Sequence, residues 1–437
     1  MLGGFFQSMS ENNISQHELF ASRENSYQSD DIITSIDIGS DKIVCFIAKV
    51  DKILDKEKPR IIGYGYSQSK GIRNGAITNI LDLEKSIRRA VDEAENLAGV
   101  EVKNVSVNIS GNYIKTERTF GELIINGDII NHQHVIEVID LAKKKFNSNN
   151  KKILHVIPSN FIVDNIKNIP NPNGISANKL AVKLLFIYGK PTHINNLETI
   201  INSCHLRVIN FTAKPYVSGL STLTNEERGS GAVCIDIGSG STSISIFVDG
   251  SIVFAKSINI GAWYISSDIS KVLSTPFEQA EGLKNLYGSA LRGPNDGEII
   301  YETPVMGGDI TEGHFLSRSK LISIIQPRFY EILMHAKKCI EQSGYLDIAK
   351  RNTVITGGGA ELIGSLEFSE RVLDSRVHIG KPLNINGLNE QISGPVFSSC
   401  AGMLIHSILK RKKEIDIQSK GPNFVYKFLQ KIMGSGF

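Results

Sequence analysis

Cysteine is scarce in this sequence of 437 residues, and the spacing of the five cysteines argues against a disulfide framework. They form no Cys-x-x-Cys pair and lie mostly within apolar stretches, which is typical of buried thiols in a reducing cytosol rather than of a disulfide framework. The ten histidines likewise show no zinc-ligand spacing. No run of about 18 apolar residues occurs, so no segment is expected to span a bilayer.

A large net charge is also absent. The 48 basic and 45 acidic residues leave a formal charge of +3, so the whole chain has no nucleic-acid-binding character and any basic function must be local. The N terminus lacks the basic region and long apolar core of a signal peptide. Residues 7–30 are polar without periodicity, and we expect residues 1–30 to be a disordered leader. A chain of this length requires two or more domains.

A repeated motif is the most informative feature that is present. Asp-Ile-Gly-Ser occurs at Asp37–Ser40 and again at Asp236–Ser239. Each copy ends an apolar strand, turns on glycine and enters a second apolar strand. A carboxylate at a strand end can hold Mg²⁺ through water, and the turn that follows offers N–H groups to phosphate oxygens. Two such hairpins, half a chain apart, predict two related halves that close on one nucleotide.

A third glycine turn lies at Thr356–Ala360, after the predicted strand Thr353–Ile355 and before a predicted helix Glu361–Phe368. Because this turn lacks side chains, a base or ribose could lie against its backbone at the helix N terminus. Neither a P-loop nor a Gly-x-Gly-x-x-Gly motif occurs at the three turns, since Ser243 interrupts the latter. The alternative is three tight β-turns whose glycines only satisfy positive φ.

The order of these turns, DIGS, DIGSGST and TGGGA, resembles the phosphate-1, phosphate-2 and adenosine motifs of the actin-like ATPase superfamily. Within it the chain is most similar to the FtsA family of bacterial cell-division proteins, over about residues 31–409 and the tail. The stretches that carry the likeness are Gly71–Asn79, Ile153–Phe161, Asn168–Leu180, Leu223–Glu227 and Ala280–Lys284. The resemblance implies an α/β, actin-like fold with two lobes, built from duplicated ribonuclease-H-like domains, and an inserted 1C subdomain.

The resemblance also implies a domain organisation. The expected units are the leader (1–30), subdomain 1A (31–80, 188–230 and 395–409), the inserted subdomain 1C (81–187), subdomain 2A (231–262 and 320–394), subdomain 2B (263–319), a basic linker (410–422) and an amphipathic membrane-targeting helix (423–437).

The resemblance assigns the site residues as follows. Asp37 and Asp236 would position Mg²⁺ through water for a bound ATP. The nucleotide contacts are expected from Gly39, Ser40, Lys42, Gly238, Ser239, Gly240, Ser241 and Thr242 around the phosphates, Glu281 and Lys284 at the ribose or base, and Gly357, Gly358 and Gly359 at the adenosine. For Glu281 and Lys284 the alternative is a solvated helix face.

Two departures from the family pattern concern catalysis. The second turn of the family usually reads Asp-Ile-Gly-Gly-Gly-Thr-Thr-Asp, whereas this chain has Ser239 for a glycine and Ser243 for the closing Asp. Asp41 also places a negative charge beside the phosphates. We identify no residue that orients an attacking water, as hydrolysis requires. The expectation is therefore ATP binding with weak or no ATPase activity.

The C-terminal segment shows a different pattern. Basic residues at Lys410–Lys413 precede a polar linker, and an apolar stripe with helical spacing follows. The stripe consists of Phe424, Val425, Phe428, Leu429, Ile432 and Met433, with Lys427 and Lys431 on other faces. Apolar and aromatic residues flanked by lysines suit an anionic membrane surface, and the FtsA family has its membrane-targeting helix at this place. The alternative is a core helix.

The function implied by the resemblance is that of an ATP-binding cell-division protein. It would polymerise into filaments and tether the ring of tubulin-like FtsZ to the cytoplasmic face of the inner membrane at the division site. Its partners would be the FtsZ C-terminal peptide, bound at about residues 263–319, further copies of itself, anionic lipids and other division proteins, with no nucleic acid. The alternatives are a pilus-assembly actin-like adaptor and a metabolite kinase of the same fold. A chaperone-type ATPase is disfavoured because few residues follow Gly357.

Overall fold

The computed structural model describes residues 31–53, 56–298, 300–303 and 314–419. The strands are β1 (Ile32–Ile38), β2 (Lys42–Ile53), β3 (Lys56–Gln68), β4 (Ile72–Arg73), β5 (Ala76–Ile77), β6 (Asn104–Ile109), β7 (Lys115–Ile124), β8 (Lys152–Pro158), β9 (Phe161–Val163), β10 (Ile166–Ile169), β11 (Lys179–Gly189), β12 (Arg207–Ala213), β13 (Ala232–Ile237), β14 (Thr242–Val248), β15 (Ser251–Ile258), β16 (Ile300–Thr303), β17 (His314–Ser317), β18 (Thr353–Thr356) and β19 (Val377–Ile379).

The helices of the described residues are α1 (Ile80–Ala98), α2 (His132–Lys144), α3 (Pro191–Ser203), α4 (Lys214–Thr222), α5 (Asn225–Ser230), α6 (Trp263–Leu273), α7 (Phe277–Tyr287), α8 (Arg318–Ser343), α9 (Leu346–Arg351), α10 (Ser365–Leu373) and α11 (Ser398–Ser419). Short 3₁₀ turns occur at Gly111–Tyr113, Gly358–Glu361 and Pro395–Phe397.

Two five-stranded sheets of the same design form the two lobes. The sheet of the first lobe has the order β12-β6-β1-β2-β3, and the sheet of the second lobe has the order β15-β14-β13-β18-β19. In each, an antiparallel hairpin, β1–β2 or β13–β14, continues into a third antiparallel strand. The first strand of each hairpin also pairs in parallel, β1 with β6 and β13 with β18. The prediction of two related halves with an actin-like architecture is therefore confirmed.

The first sheet is buried on both faces, and strand β2 shows why. Its successive side chains point to opposite faces of the sheet. Those that join the core containing α1 are Ile43, Cys45 and Ile47, and those that pack against α11 are Val44, Phe46 and Ala48. The contact between β3 and α1 depends on glycine: a Cβ at Gly65 would lie 2.2 Å from the carbonyl oxygen of Ala90.

Helix α1 begins and ends as its sequence pattern indicates. The Asn79 side chain accepts a hydrogen bond from the backbone N–H of Asp82, which caps the helix N terminus. At the other end Gly99 adopts a left-handed conformation, with φ of 66°, and its N–H donates to the Glu95 carbonyl. The spacing of apolar residues predicts a helix over Leu81–Ala98 with Gly99 as its C-cap, and the structure confirms both.

The inserted domain is smaller than we predicted. Its sheet has the order β10-β9-β11-β7, with β8 also paired to β11, and α2 packs on this sheet. Residues 81–110, predicted to belong to the insert, lie instead in the first lobe. Strand β6 pairs in parallel with both β1 and β12, and its Val105, Val107 and Ile109 are buried in the core of that lobe. The insert therefore begins at about Gly111.

Two further predictions about the elements are wrong. The helix predicted at Glu361–Phe368 is a 3₁₀ turn at Gly358–Glu361 followed by α10, because Gly364, with φ of 74°, interrupts the chain between them. The linker predicted from residue 410 is helical at first, since α11 continues to Ser419. No helix among the described residues has the length and apolar character needed to cross a membrane. The leader (1–30) and the stripe from Phe424 to Met433 lie outside the described residues.

Candidate nucleotide-binding cleft

The two Asp-Ile-Gly-Ser turns have the same backbone closure. The N–H of Gly39 donates to the Lys42 carbonyl at 3.1 Å, and the N–H of Gly238 donates to the Ser241 carbonyl at 3.0 Å. Each turn therefore holds its strand pair in the same register at equivalent places in the two lobes. The turns also meet across the lobe boundary, because a Cβ at Gly240 would lie only 2.6 Å from Ser40 Oγ.

The turns enclose a cleft of about 310 Å³ between the lobes. The predicted residues that line it are Asp37, Gly39, Ser40, Lys42, Asp236, Gly238, Ser239, Gly240, Ser241, Glu281, Lys284, Gly357, Gly358 and Gly359. Thr242 is the exception. Its side chain is fully buried, and its hydroxyl donates to the Ile260 carbonyl at 2.7 Å. The Thr242 hydroxyl therefore does not face the cleft.

Helix α6 fixes the orientation of the second turn. The backbone N–H groups of Ala262 and Trp263 donate to the carbonyls of Gly238 and Ser239, each at 2.9 Å. In a trans peptide the N–H points opposite to the carbonyl. Because the carbonyls point to the start of α6, the N–H groups of Ser239 and Gly240 point away from that helix. This arrangement suits the binding of an anion such as a phosphate.

The two predicted metal carboxylates are buried at the ends of β1 and β13. Asp37 accepts a hydrogen bond from Asn108 Nδ2 at 2.6 Å, and Asp236 accepts one from Ser218 Oγ at 2.6 Å. The other oxygen of Asp236, Oδ1, is buried and has no hydrogen-bond partner among the described residues. It lies against Gly357, where a Cβ would come within 2.4 Å. The third turn therefore has to carry glycine at this position.

A lysine that the sequence analysis did not assign lies between these carboxylates. Lys214 Nζ is 3.8 Å from Asp37 Oδ2 and 3.7 Å from Asp236 Oδ2. Burial alone would lower the pKa of Lys214, but its attraction to Asp236 and Asp37 outweighs that effect and raises the pKa. The ammonium is thus charged. Two carboxylates that share an ammonium are not a free pair of Mg²⁺ ligands, so the expected metal site does not fit this geometry well.

Burial also affects the first of these acids. It raises the pKa of Asp37, the nearby Lys214 opposes that shift, and Asp236 adds to it. The signal that could have found Lys214 is its place in the sequence. It follows directly after strand β12 and opens α4 before Pro215. The parallel strands of the first sheet end at the same edge as Asp37, and a cation at such a strand end can reach the site.

Glu281 and Lys284 lie in the cleft and not on a solvated face. Lys284 Nζ donates to Glu281 Oε1 at 2.6 Å, and Ser266 donates to the other carboxylate oxygen. The pair faces Asp41 of the first turn, whose pKa is raised by burial and further by the charge of Glu281. These residues place a fixed ion pair opposite the first turn, where polar groups of a ligand can bind.

Lys42 lines the cleft at the end nearer the first turn, but its ammonium also contacts two aromatic rings. Nζ lies 5.4 Å from the centroid of Tyr66 and 5.7 Å from that of Phe397. Glu361, which the sequence analysis did not assign, lies nearby in the same lining. Burial raises the pKa of Glu361, and the positive charge of Lys42 opposes that shift. Lys42 thus stabilises the ionised form of Glu361 and also lines the cleft.

The β4–β5 hairpin of the first lobe lies beside the two turns. Asn74, at the tip of this hairpin, donates from Nδ2 to the hydroxyl of Tyr264 in α6 at 3.0 Å. The Gly75 N–H lies 3.4 Å from Ser40 Oγ. The hairpin therefore contacts both the first turn and the second lobe.

Comparison of the sequence with known families gives two matches. The family described as Cell division protein FtsA matches residues 233–402. The family described as SHS2 domain inserted in FTSA matches residues 111–188, which agrees with the start of the insert in the structure. Among individual proteins, Cell division protein FtsA of Agrobacterium fabrum is 32% identical over 383 residues, covering 86% of each chain. That of Pseudomonas aeruginosa is 29% identical over 91% of this chain and 94% of its own.

Solved structures show the same fold at low sequence identity. A chain of the PilM-PilN type IV pilus biogenesis complex superposes with a TM-score of 0.59 at 13% identity, covering 86% of this chain and 98% of that one. MreB5 of Spiroplasma citri bound to ADP gives a TM-score of 0.55 at 12% identity, covering 88% and 98%. At these identities the likeness establishes the fold alone.

Proposed function

Because this chain belongs to the FtsA family of cell division proteins, we propose that it binds ATP between its lobes and acts as an actin-like scaffold in division. The observation that carries the proposal is the pair of equivalent glycine turns that face each other across one cleft, with a third glycine turn beside them. Backbone N–H groups of such turns are suited to phosphate oxygens. A bound triphosphate would contact both lobes and hold them together.

Ser241 offers a direct test of the phosphate end. Its side chain lines the cleft in the second turn. In Ser241→Asp a negative charge would stand beside the phosphates, and ATP affinity measured by calorimetry should fall by at least about tenfold. Ser241→Ala removes one hydroxyl and is the matched control, with a loss of no more than about fivefold. Unchanged affinity in Ser241→Asp, with an unchanged melting temperature, would rule out phosphate binding at this turn.

We propose ATP binding with weak or no hydrolysis. The charged Lys214 ammonium cannot itself accept a proton from an attacking water, and it holds Asp37 and Asp236 in ion pairs, so neither carboxylate is free to orient that water. Steady-state formation of ADP should therefore be slow relative to metabolic kinases, with or without sugars as acceptors. Rapid ADP formation stimulated by a sugar would favour the kinase alternative.

Membrane attachment is the second part of the proposal. The apolar stripe from Phe424 to Met433 follows α11, which ends at Ser419. An amphipathic segment with flanking lysines would hold the protein on the cytoplasmic face of the inner membrane. The full chain should sediment with anionic vesicles, whereas a chain ending at Gly421 should not. Phe428→Glu should behave like the truncation and Lys427→Gln should weaken binding only partly; equal sedimentation of all four proteins would refute the anchor.

The third part concerns partners. We propose that residues 263–319 receive the C-terminal peptide of FtsZ, and exposed apolar side chains in that region support a peptide surface. Leu286 in α7 is 69% exposed and Phe315 in β17 is 79% exposed. Fluorescence anisotropy with a labelled FtsZ peptide should show binding that Leu286→Lys weakens. An unaltered affinity would place the peptide elsewhere.

Assembly is the last part. A single short anchor binds reversibly, so many copies in a filament would give firm attachment. Electron microscopy on lipid monolayers with ATP should show filaments. Family membership favours division over the pilus-assembly alternative, since the PilM-PilN likeness concerns the fold alone.

A further inference from the structure

A positive charge that belongs to the protein lies where a nucleotide-bound metal is expected. Lys214 Nζ is within 3.8 Å of a carboxylate oxygen from each lobe, Asp37 Oδ2 and Asp236 Oδ2. The side chains are 13%, 7% and 2% exposed, respectively. All three groups are therefore shielded from solvent, and their mutual attraction is stronger than that of a surface ion pair.

The neighbouring contacts hold this arrangement in place. Lys214 is the first residue of α4, and Ser218, one turn later on the same helix, donates to Asp236 Oδ2. Asp37 is held from the other side by Asn108. Both of these donors are neutral, so Lys214 supplies the positive charge. One helix thus positions both the ammonium and the hydroxyl that contact the carboxylate of the second lobe.

The ammonium also lies against the second phosphate turn. A Cβ at Gly238 would be 3.7 Å from Lys214 Nζ, which is van der Waals distance, so the ammonium lies directly beside the turn. A phosphate oxygen bound at the turn would lie close to the ammonium. Lysine is a compact point charge that binds phosphate in this way.

Mg²⁺ is poorly suited to the same position. The ion requires near-octahedral oxygen ligands at about 2.0–2.1 Å and keeps several of its waters. An ammonium that already contacts both carboxylates occupies that space and repels a second cation. Asp236 Oδ1, which has no hydrogen-bond partner among the described residues, is covered by Gly357 of the third turn.

We propose that Lys214 takes the place of Mg²⁺ as the counter-charge for the nucleotide phosphates, so that adenine nucleotide binds this protein with little dependence on a divalent cation. The inference rests on the proposed nucleotide site and concerns how that site is charged. It differs from the sequence-based expectation, in which Asp37 and Asp236 serve a metal.

The full-length wild-type protein provides the first test. ATP affinity measured by calorimetry in excess EDTA should lie within about threefold of the value in excess MgCl₂. Binding that requires MgCl₂ would overturn the inference and leave the nucleotide site intact. Absence of binding in both buffers would overturn the nucleotide site as well, so the two failures are distinct.

Lys214→Met provides the second test, because methionine keeps an unbranched apolar stem and removes the charge. ATP binding to this variant should become dependent on Mg²⁺ by about tenfold or more, and MgCl₂ without nucleotide should raise its melting temperature. Wild-type protein should show no such rise. Lys85→Met, on the exposed side of α1, is the matched control and should behave as wild type. The same Mg²⁺ dependence in Lys214→Met and wild type would overturn the inference.

If Lys214→Met does not fold, Lys214→Arg keeps the charge between the carboxylates. It should retain binding in EDTA, and a requirement for MgCl₂ in that variant would count against the role of the positive charge. The wild-type comparison decides the question without any variant.

Discussion

The guanidinium carbon of Arg73 lies 4.0 Å from the ring centroid of Trp263, and this contact joins the two lobes beside the second glycine turn. Arg73 belongs to the β4–β5 hairpin of the first lobe, whereas Trp263 is the first residue of α6 in the second. Trp263 also stacks on Phe277, with centroids 5.3 Å apart. It is the only tryptophan in the chain. Its fluorescence therefore reports on the approach of the lobes without any label.

We expect Arg73→Ala to loosen this contact. A cation–π pair of this kind contributes about 0.5–2 kcal/mol, so ATP affinity should fall by about twofold to thirtyfold if closure accompanies binding. The emission of Trp263 should change on addition of ATP in wild type and change less in the variant. Arg89→Ala, on the exposed surface of α1, should match wild type in both measurements. An identical response of Arg73→Ala and wild type would show that the hairpin does not take part in closure.

The two Asp-Ile-Gly-Ser turns contact each other across the lobe boundary, and this contact leads to a second prediction. A Cβ at Gly240 would lie 2.6 Å from Ser40 Oγ and 2.8 Å from Asn74 Cα, so Gly240→Val should hold the lobes apart. ATP affinity should fall by about tenfold or more, and the free energy of unfolding should fall by about 1–3 kcal/mol. Gly229→Ala is the control, since a Cβ there would meet no atom within 4 Å. Wild-type affinity in Gly240→Val would show that the lobes need not approach this closely.

A third prediction concerns pH. His155 Nε2 accepts a hydrogen bond from the Ala213 N–H at 3.0 Å. Burial lowers the pKa of His155 well below its ordinary value of 6.5, and His406 and Lys410 lower it further. The folded protein therefore keeps His155 neutral while the unfolded chain takes up a proton. Stability should be complete above about pH 6.5 and decline as the pH falls below it, by up to about 1.4 kcal/mol per pH unit.

This dependence can be measured with urea unfolding between pH 7.5 and 5.5, values chosen to lie on either side of the ordinary pKa. In His155→Gln the amide can still accept from Ala213, and the decline should be shallower. His335→Gln, a surface substitution on α8, should leave the slope unchanged. A decline in His155→Gln as steep as that in wild type would show that protonation of His155 does not cause the loss of stability.

The fourth prediction addresses the core of the first lobe. Helices α4 and α11 approach so closely that a Cβ at Gly402 would lie 1.9 Å from the Val217 carbonyl oxygen. Gly402→Ala should therefore lower the free energy of unfolding by about 1–3 kcal/mol or more. Gly282→Ala, in the middle of α7 with no atom within 4 Å of its Cβ, should raise it by about 0.5–1 kcal/mol. A neutral Gly402→Ala would mean that the two helices can move apart at little cost.

Much of the fold was predictable because its signals are local. The apolar runs before Asp37 and Asp236 predict the two hairpins, and both are present with the same register. The spacing of apolar residues in α1, ended by Gly99, predicts that helix almost to the residue. By contrast, β15 and β19 at the edges of the second sheet were not predicted. Their pattern carries a weaker signal, since an edge strand is specified mainly by the neighbour with which it pairs.

The sequence by itself determined the three glycine turns, their order and the carboxylates beside the first two, because turn geometry and strand ends depend on residues adjacent in the chain. Only the tertiary structure decided which side chains reach the cleft. It buries Thr242 against Ile260, assigns β6 to the first lobe and brings Lys214 between Asp37 and Asp236. The first two outcomes depend on contacts within one lobe and the third on contacts between the lobes, and all three join residues that are not adjacent in the chain, so no local pattern encodes them.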